Sequence, residues 1–437
     1  MQDAERLREV ANDCVHCGFC LPACPTYQLW AEEMDSPRGR IYLINQVLDG
    51  AELTPAAAQH FDRCLGCMAC MTACPSGVQY DQLIEAARVW TEEARPTLPA
   101  AADGNGSVRD RAARSAIFAL FPYPRRLRAM IAPLRAAQRT GLDRRLARSS
   151  LPGRLSPVLG AALRLAPPAS AAGRLPERVA ARGPRRAVTG MLTGCVQSVF
   201  FPRVNAATAR VLALEGCDVI IPRGQGCCGA LSLHSGREAE AAAFARHTIE
   251  AFERAGVDTI VVNSAGCGSA MKEYERLLSG DPDWSGRAAA MSGRVRDLSE
   301  FLAELGPAAP RRPLAVTAAY HDACHLGHAQ RITRQPRELL RAIPELTLVE
   351  LADAGTCCGS AGVYNLLQPE AAGELGARKA QAVLDAGAPL LISANPGCSL
   401  QIAAALADRG ERIAVAHIAE VLDASLRGLR WPTADVR

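Results

Sequence analysis

The stretches that decide the fold are CVHCGFCLPACP at residues 14–25 and CLGCMACMTACP at residues 64–75. Both have the spacing C-x2-C-x2-C-x3-C-P, and together they hold eight of the 17 cysteines. Zinc sites usually take two C-x2-C pairs separated by a longer loop, so they explain these dense runs poorly. The spacing instead suits two 4Fe-4S clusters, because three thiolates of one tight loop can surround a face of a cubane while the fourth points away from it.

These runs resemble the ligand runs of bacterial two-cluster ferredoxins, in which the fourth cysteine of each run serves the other cluster. The ligand sets are therefore expected to cross over. Gly18 and Gly66 are expected to relieve crowding where backbone amides approach the cluster sulfurs. We assign one cluster to Cys14, Cys17, Cys20 and Cys74, and the other to Cys64, Cys67, Cys70 and Cys24.

Shared ligands place the two clusters close together, as a one-electron relay requires. Nothing near these runs supplies an acid-base pair or a nucleophile with its own base, so no catalytic residue is assigned here. The sequence also has no G-x-G-x-x-G after a predicted strand, so no flavin is expected in this chain. Hydride chemistry needs a flavin or nicotinamide. Substrate oxidation is therefore expected on another polypeptide.

Composition narrows the class of protein further. The chain has 437 residues, a formal net charge of +4 and 5% aromatic residues, which argues against a nucleic-acid partner. The charged N-terminus does not look like a signal peptide, and no uncharged apolar stretch reaches about 18 residues. A cytoplasmic location is expected, where 17 cysteines favour cluster or metal ligation over disulfides.

The chain divides into four predicted segments. A cysteine-free stretch runs from Pro75 to Gly194, and much of it is rich in Pro, Gly, Ala and Arg, which is typical of a linker with a few short helices. Its arginines could contact anionic lipid or an acidic partner, or could simply be solvated. The predicted boundaries are residues 1–97 for the two-cluster domain, 98–186 for the linker, and 187–306 and 307–437 for two C-terminal repeats.

The C-terminal part alternates short β-branched runs with Ala-rich amphipathic runs, which predicts parallel α/β architecture. It also looks duplicated, because Cys195 corresponds to Cys324, the pair Cys227-Cys228 to Cys357-Cys358, and Cys267 to Cys398, at offsets of 129 to 131 residues. The predicted fold class is thus multidomain α+β, with a mainly helical two-cluster domain followed by an α/β domain of two duplicated half-domains.

Each repeat gathers four thiols at the ends of predicted strands. This pattern resembles the CCG domain of heterodisulfide reductase subunits, in which such cysteines hold a 4Fe-4S cluster. That family ends the motif with C-x2-C, whereas this sequence reads Cys267-Gly-Ser-Ala270 and Cys398-Ser-Leu-Gln401. Two alternatives therefore stay open, a further cluster or redox-active or structural thiols without iron. His321, His325 and His328 could replace a missing thiolate, carry a proton or simply be hydrogen-bonded.

Taken in order, CVHCGFCLPACPTYQL, DSPRGRIYLINQVLDG, RCLGCMACMTACPSGVQY, QGCCGA, SAGCGSAMKEY and CCGSAGVYN resemble the iron-sulfur subunits of bacterial glycolate oxidase. The resemblance implies FAD-binding partner subunits, oxidation of glycolate to glyoxylate on their flavin, and electron delivery to the membrane quinone pool or another acceptor. It also implies a peripheral position on the inner face of the membrane. The alternatives are a subunit of anaerobic glycerol-3-phosphate or D-lactate dehydrogenase, or a thiol-disulfide catalyst like heterodisulfide reductase.

Overall fold

The computed structural model describes residues 4–99, 107–142, 145, 149, 151–167 and 174–431. The N-terminal part is helical, and its short helices begin at good N-caps: Ser36 accepts from the Gly39 amide and Thr54 from the Ala57 amide. The helices are Ala4–Asn12 (α1), Pro25–Trp30 (α2), Pro37–Leu48 (α3), Pro55–Arg63 (α4), Ala69–Ala73 (α5) and Tyr80–Ala94 (α6), with a 3-10 turn at Glu33–Asp35.

The middle segment contributes helices that pack on the rest of the chain. Leu127 and Ile131 are buried against Val199, and Phe118 packs in a cluster with Val363. The helices are Val108–Leu120 (α7), Pro124–Thr140 (α8), Leu151–Leu155 (α9) and Pro157–Arg164 (α10). The first two, of 13 and 17 residues, are longer than the short helices expected in this segment, because Ala, Leu and Arg favour helix. Pro124 begins α8, whereas Pro133 lies inside it.

The next segment forms a five-stranded sheet of order β1-β3-β2-β4-β5, parallel except for β1. Its strands are Arg178–Val179 (β1), Ala187–Met191 (β2), Cys217–Ile220 (β3), Thr259–Val262 (β4) and Val295–Asp297 (β5). Its helices are Val196–Phe200 (α11), Pro202–Leu214 (α12), Ala230–Leu233 (α13), Glu238–Ala255 (α14), Ala265–Lys272 (α15), Tyr274–Leu277 (α16), Ser285–Arg294 (α17) and Leu298–Leu305 (α18).

A second sheet, fully parallel and of order β7-β6-β8-β9, repeats this plan. Its strands are Val316–His321 (β6), Leu346–Glu350 (β7), Leu390–Ser393 (β8) and Ala414–His417 (β9), with a π-helical turn at His325–Ala329. Its helices are Arg334–Arg341 (α19), Tyr364–Leu367 (α20), Pro369–Asp385 (α21), Pro396–Asp408 (α22) and Ile418–Arg427 (α23). The predicted α/β duplication is confirmed.

The two sheets pack as one body. One hydrophobic core runs through both, and α12 lies against α23, where Arg210 makes an ion pair with Asp423 at 2.7 Å. The buried imidazole of His417 joins the halves, because its Nε2 lies 2.9 Å from the Asn263 carbonyl oxygen and its Nδ1 accepts from the Ala419 amide. This arrangement requires the neutral ring with its proton on Nε2.

Burial lowers the pKa of His417 to about 4, so the folded protein resists protonation that the unfolded chain accepts below pH 6.5. Stability is then lost as the pH falls from 6.5 towards 4, by about 1.4 kcal/mol per pH unit from this residue. His417→Asn keeps a capping oxygen but cannot titrate. We expect the variant to be less stable at pH 7.5, and the gap in urea midpoint to narrow by pH 5.5. A constant gap would contradict the assignment.

Candidate functional site

The first thiol pocket is formed by the predicted crossed set Cys14, Cys17, Cys20 and Cys74, with Cys70 also on its wall. Cys17 is exposed and the other three members of the set are half-buried. Burial, together with the neighbouring Cys74 and Cys17, raises the pKa of Cys14. Four thiols that disfavour each other's charge suit a polycationic centre, which would deprotonate and neutralise them.

The second thiol pocket is lined by Cys24, Cys64, Cys67 and Cys70, and all four are buried. Burial and the adjacent thiols raise the pKa of Cys70 well above its ordinary value. Cys64 differs, since the guanidinium groups of Arg40 and Arg88 outweigh its burial and lower its pKa. The structure thus brings each run's fourth cysteine to the other run, as the crossed assignment requires, and both donor sets fit an iron-sulfur cluster.

The two loops share a backbone conformation that fits this chemistry. The residue two after the first cysteine is left-handed in both loops, His16 at φ 52° and Gly66 at φ 63°. So is the residue after the second cysteine, Gly18 at φ 87° and Met68 at φ 60°. At Gly66 a Cβ would also lie 3.0 Å from the Arg88 guanidinium. Glycine at Gly66 therefore avoids the cost of a positive φ, which His16 bears in the other loop, and leaves room for the Arg88 side chain.

The segment Ser36-Pro37-Arg38-Gly39-Arg40 starts α3 and faces the cysteine loops. Arg38 donates to the His16 carbonyl oxygen at 3.2 Å. Arg40 is fully buried and donates to both the carbonyl and the carboxylate of Asp35, at 2.6 and 3.1 Å. A Cβ on Gly39 would lie 2.0 Å from the Glu33 carbonyl oxygen, so the 3-10 turn can approach only because this residue is glycine.

A third cavity, of about 140 Å³, lies between the two sheets. Eight of the nine cysteines of the two repeats line it, all except Cys217: Cys195, Cys227, Cys228, Cys267, Cys324, Cys357, Cys358 and Cys398. Each follows the carboxyl end of a strand, where open parallel sheets place their sites. The structure therefore joins into one site the two sets of thiols that the sequence placed in separate repeats.

The thiols of each repeat form a contact chain. In the first repeat, the Cys195 and Cys227 sulfurs are 3.5 Å apart. Hydrogen bonds from Cys227 and Cys267 lower the pKa of Cys228 against the effect of burial, so it is the favoured thiolate of its repeat. In the second repeat, the thiols that contact one another in a row are Cys324, Cys357, Cys358 and Cys398. Soft donors in such a row can hold iron or another thiophilic metal.

The third cavity adjoins the second thiol pocket. Cys67 lines both, and its pKa is raised well above the ordinary value by burial and by the nearby Cys324. The N-terminal helices are tied to the repeats at the same place, where buried Glu85 pairs with Arg276 and His234. Although burial opposes ionisation, these two partners lower the pKa of Glu85 to about 2. This contact could not be predicted from the sequence, because the pairing joins residues about 150 to 190 positions apart.

The three histidines named from the sequence have different surroundings. His328 bridges the Thr72 hydroxyl at 2.9 Å and the Gly355 carbonyl at 2.8 Å. His325 is half-buried, and its ring lies against that of His234 with the centroids 4.9 Å apart and the planes tilted by 39°. His321 is fully buried beside Cys358 and Cys398, and burial lowers its pKa to about 3, which keeps the imidazole neutral. Only His321 of these three belongs to a group with metal-ligand geometry among the described residues.

No helix in the described part of the chain is both long and apolar enough to cross a membrane.

Comparisons with known proteins agree with this site. A 4Fe-4S dicluster domain matches residues 10–78, a cysteine-rich domain (CCG) matches residues 189–272 and 318–403, and the linker region of glycolate oxidase iron-sulfur subunits matches residues 109–166. The chain therefore carries iron-sulfur clusters, as predicted, and the predicted fold class is confirmed.

Relatives match along nearly the whole chain. The probable glycolate oxidase iron-sulfur subunit of Bacillus subtilis is 36% identical over 94% of this chain and 93% of its own length. The glycolate oxidase iron-sulfur subunit of Escherichia coli is 36% identical over 95% and 94%. Lactate utilization protein A of Exiguobacterium is 34% identical over 53% of this chain and 96% of its own length. A hypothetical protein from Helicobacter pylori of solved structure shares the fold, with a TM-score of 0.53 at 8% identity over 98% and 77% of the two chains.

The crossed ligand assignment predicts how paired Cys→Ala variants lose iron. Cys14→Ala with Cys74→Ala removes ligands from one set only, so about four irons should remain in the N-terminal region. Cys14→Ala with Cys24→Ala damages both sets, so almost none should remain there. Iron and sulfide counts with low-temperature EPR measure this, and Cys217→Ala, a buried thiol outside all three pockets, is the matched control. The reverse pattern would show that each run binds its own cluster.

Proposed function

Because the chain belongs to the glycolate oxidase iron-sulfur subunit family, we propose that it is the electron-transferring subunit of a glycolate-oxidising complex. Its electrons come from glycolate through a flavin on an FAD-binding partner subunit, and they leave to the membrane quinone pool. Iron-sulfur clusters bound at the cysteine pockets supply one-electron redox chemistry. The observation that carries the proposal is that three thiol sites adjoin one another. The first pocket shares Cys70 with the second, and the second shares Cys67 with the eight-thiol cavity.

Electrons enter at the first thiol pocket. It is the one whose ligand set reaches the surface, through Cys17. Two large apolar side chains flank that thiol, Val15 at 69% and Phe19 at 65% exposed. Together they form an apolar patch around the first loop, of the kind that a partner subunit covers. A flavin carried by that subunit would then lie close to the first ligand set.

Two buried cations favour the onward step to the second pocket. Arg88 donates to the Cys64 carbonyl oxygen at 2.6 Å. The positive charge of the fully buried Arg40 also lowers the pKa of the Cys64 thiol. Fixed positive charge stabilises an added electron, and it does so more strongly when it is shielded from water. The first pocket has the partly exposed Arg38 instead. Electrons are therefore held more tightly at the second pocket.

Thiol-disulfide catalysis is a second candidate function, and the third cavity favours it. Cys195 and Cys227 have touching sulfurs, and Cys228 is the favoured thiolate beside them. That arrangement can reduce a substrate disulfide if electrons arrive through Cys67. This candidate predicts disulfide reduction by the isolated reduced protein and its loss in Cys228→Ser, which removes the favoured thiolate.

The main proposal is tested on the complex purified with its partner subunits. Glycolate should reduce the clusters, seen as the appearance of their EPR signals, and should drive reduction of a quinone analogue. D-lactate and glycerol 3-phosphate should do both at least tenfold more slowly. Phe19→Asp places a charge in the apolar patch and should lower quinone reduction while leaving flavin bleaching by glycolate intact. Faster reduction by D-lactate or glycerol 3-phosphate would reassign the substrate.

The charge argument is tested by two matched substitutions. Arg88→Met keeps the side-chain length but removes the buried cation, so the reduction potential of the cluster at Cys64 should become more negative. Arg38→Met should shift the other cluster, and by less, because water screens that charge. Redox titration followed by EPR resolves the two. An unchanged potential in Arg88→Met, with intact iron content, would contradict the proposed direction of electron flow.

A further inference from the structure

A wide cleft separates the N-terminal helices from the first repeat. Its volume is about 960 Å³, and it lies between α6 on one side and α14 and α16 on the other. The buried side chain of Glu85 forms part of its wall, and so does Arg276. Clefts between packed units of a chain commonly give solvent and ligands access to buried groups. This cleft therefore reaches the edge of an otherwise buried cluster of charges.

Three carboxyl groups lie around Arg276 in this cluster. Arg276 donates to the Glu273 carboxylate at 2.9 Å and also to that of Glu85, and Asp81 lies one turn before Glu85 on α6. Burial, together with the charge of Glu85, raises the pKa of Glu273 to about 7 and also raises the pKa of Asp81. The cluster can therefore take up and release a proton near neutral pH.

His234 connects this cluster to the thiol sites. Its Nδ1 lies 3.5 Å from the Glu85 carboxylate. The ring lines the third cavity and also a smaller cavity of about 60 Å³ beside Cys64. Its other nitrogen, Nε2, is buried and has no partner among the residues that the structure describes. An imidazole with one nitrogen at a carboxylate and the other unengaged at a cavity is well placed to carry a proton between the two.

The smaller cavity is polar where it meets His234. His325 and Tyr364 also line it, and the Nε2 of the first and the hydroxyl of the second have no partner in the described part of the chain. Buried polar groups normally bond to protein or to ordered water. The cavity has room for a few waters, each of which needs several polar neighbours. Water there can carry a proton onward, because His234 and His325 line both cavities.

We propose that Glu273, Glu85 and His234 form a path that delivers protons from the cleft to the electron acceptor reduced at the third cavity. The inference rests on the proposed function, in which that acceptor is a quinone. A quinone becomes a quinol by taking up two electrons and two protons. Glycolate supplies the electrons through the partner's flavin and the cluster pockets, and solvent supplies the protons through this path.

His234→Gln keeps a polar side chain beside Glu85 but cannot carry a proton. In the complex with its partner subunits, we expect glycolate-driven reduction of a quinone analogue to fall by about tenfold or more, with the clusters more reduced during turnover. Reduction of ferricyanide, which takes one electron and no proton, should be unchanged. Iron content and cluster EPR signals show that the variant is folded and loaded.

His247→Gln is the matched control, because it makes the same change in the same repeat at an exposed imidazole that lines neither cavity. It should leave both rates unchanged. His234→Ala leaves space for a small base, so added imidazole should restore part of the quinone rate. The restored rate should vary with the pKa of substituted imidazoles, which a purely structural role of the ring would not produce.

Two results would overturn the proton path alone. One is an unchanged quinone rate in His234→Gln, and the other is equal rescue of His234→Ala by bases of different pKa. A wild-type complex that reduces ferricyanide with glycolate but reduces no quinone would instead overturn the proposed acceptor, and with it the path that rests on it.

Discussion

The structure depends on holding sixteen thiols close together and largely away from water. Burial and neighbouring thiolates both disfavour the charged sulfur, and the raised pKa values of Cys67 and Cys70 express that conflict. Cationic iron removes this conflict, because it neutralises the thiolates that bind it. The helices at these ligands, α2 after Cys24 and α5 around Cys70, are only six and five residues long, too short to be stable alone. Cluster binding and folding of the N-terminal part are therefore coupled.

Much of this organisation was predictable because it is local or periodic. Eight cysteines in two runs specify two clusters, and alternating strands and helices specify the repeats. Helices α12, α14 and α21 form where the sequence has Ala-rich amphipathic runs. Strand β5 has no clear sequence signal, because Val-Arg-Asp is short and carries two charges, and its position is set by pairing with β4 rather than by propensity.

Contacts between distant segments could not be predicted from the sequence. The meeting of Cys67 with Cys324 joins the second pocket to the repeats, and nothing in either local sequence indicates it. The same holds for Gly236, whose positive φ and missing Cβ let its backbone approach Arg88 of α6. Duplication predicted that the repeats are alike but not that their thiols face one cavity, since that depends on how the sheets pack.

The three thiol sites differ in their exposure to solvent, and this difference favours electron transfer in one order. The first ligand set reaches solvent, the second is covered by the N-terminal helices, and the third lies between the two sheets. Among the described residues, Cys67 is the thiol shared by the second pocket and the third cavity. In the proposed route, electrons enter at Cys17 and pass the buried cations Arg40 and Arg88 before they reach the repeats at Cys67. A chain that left all three sites exposed would lose that order, because each site could then react with any acceptor.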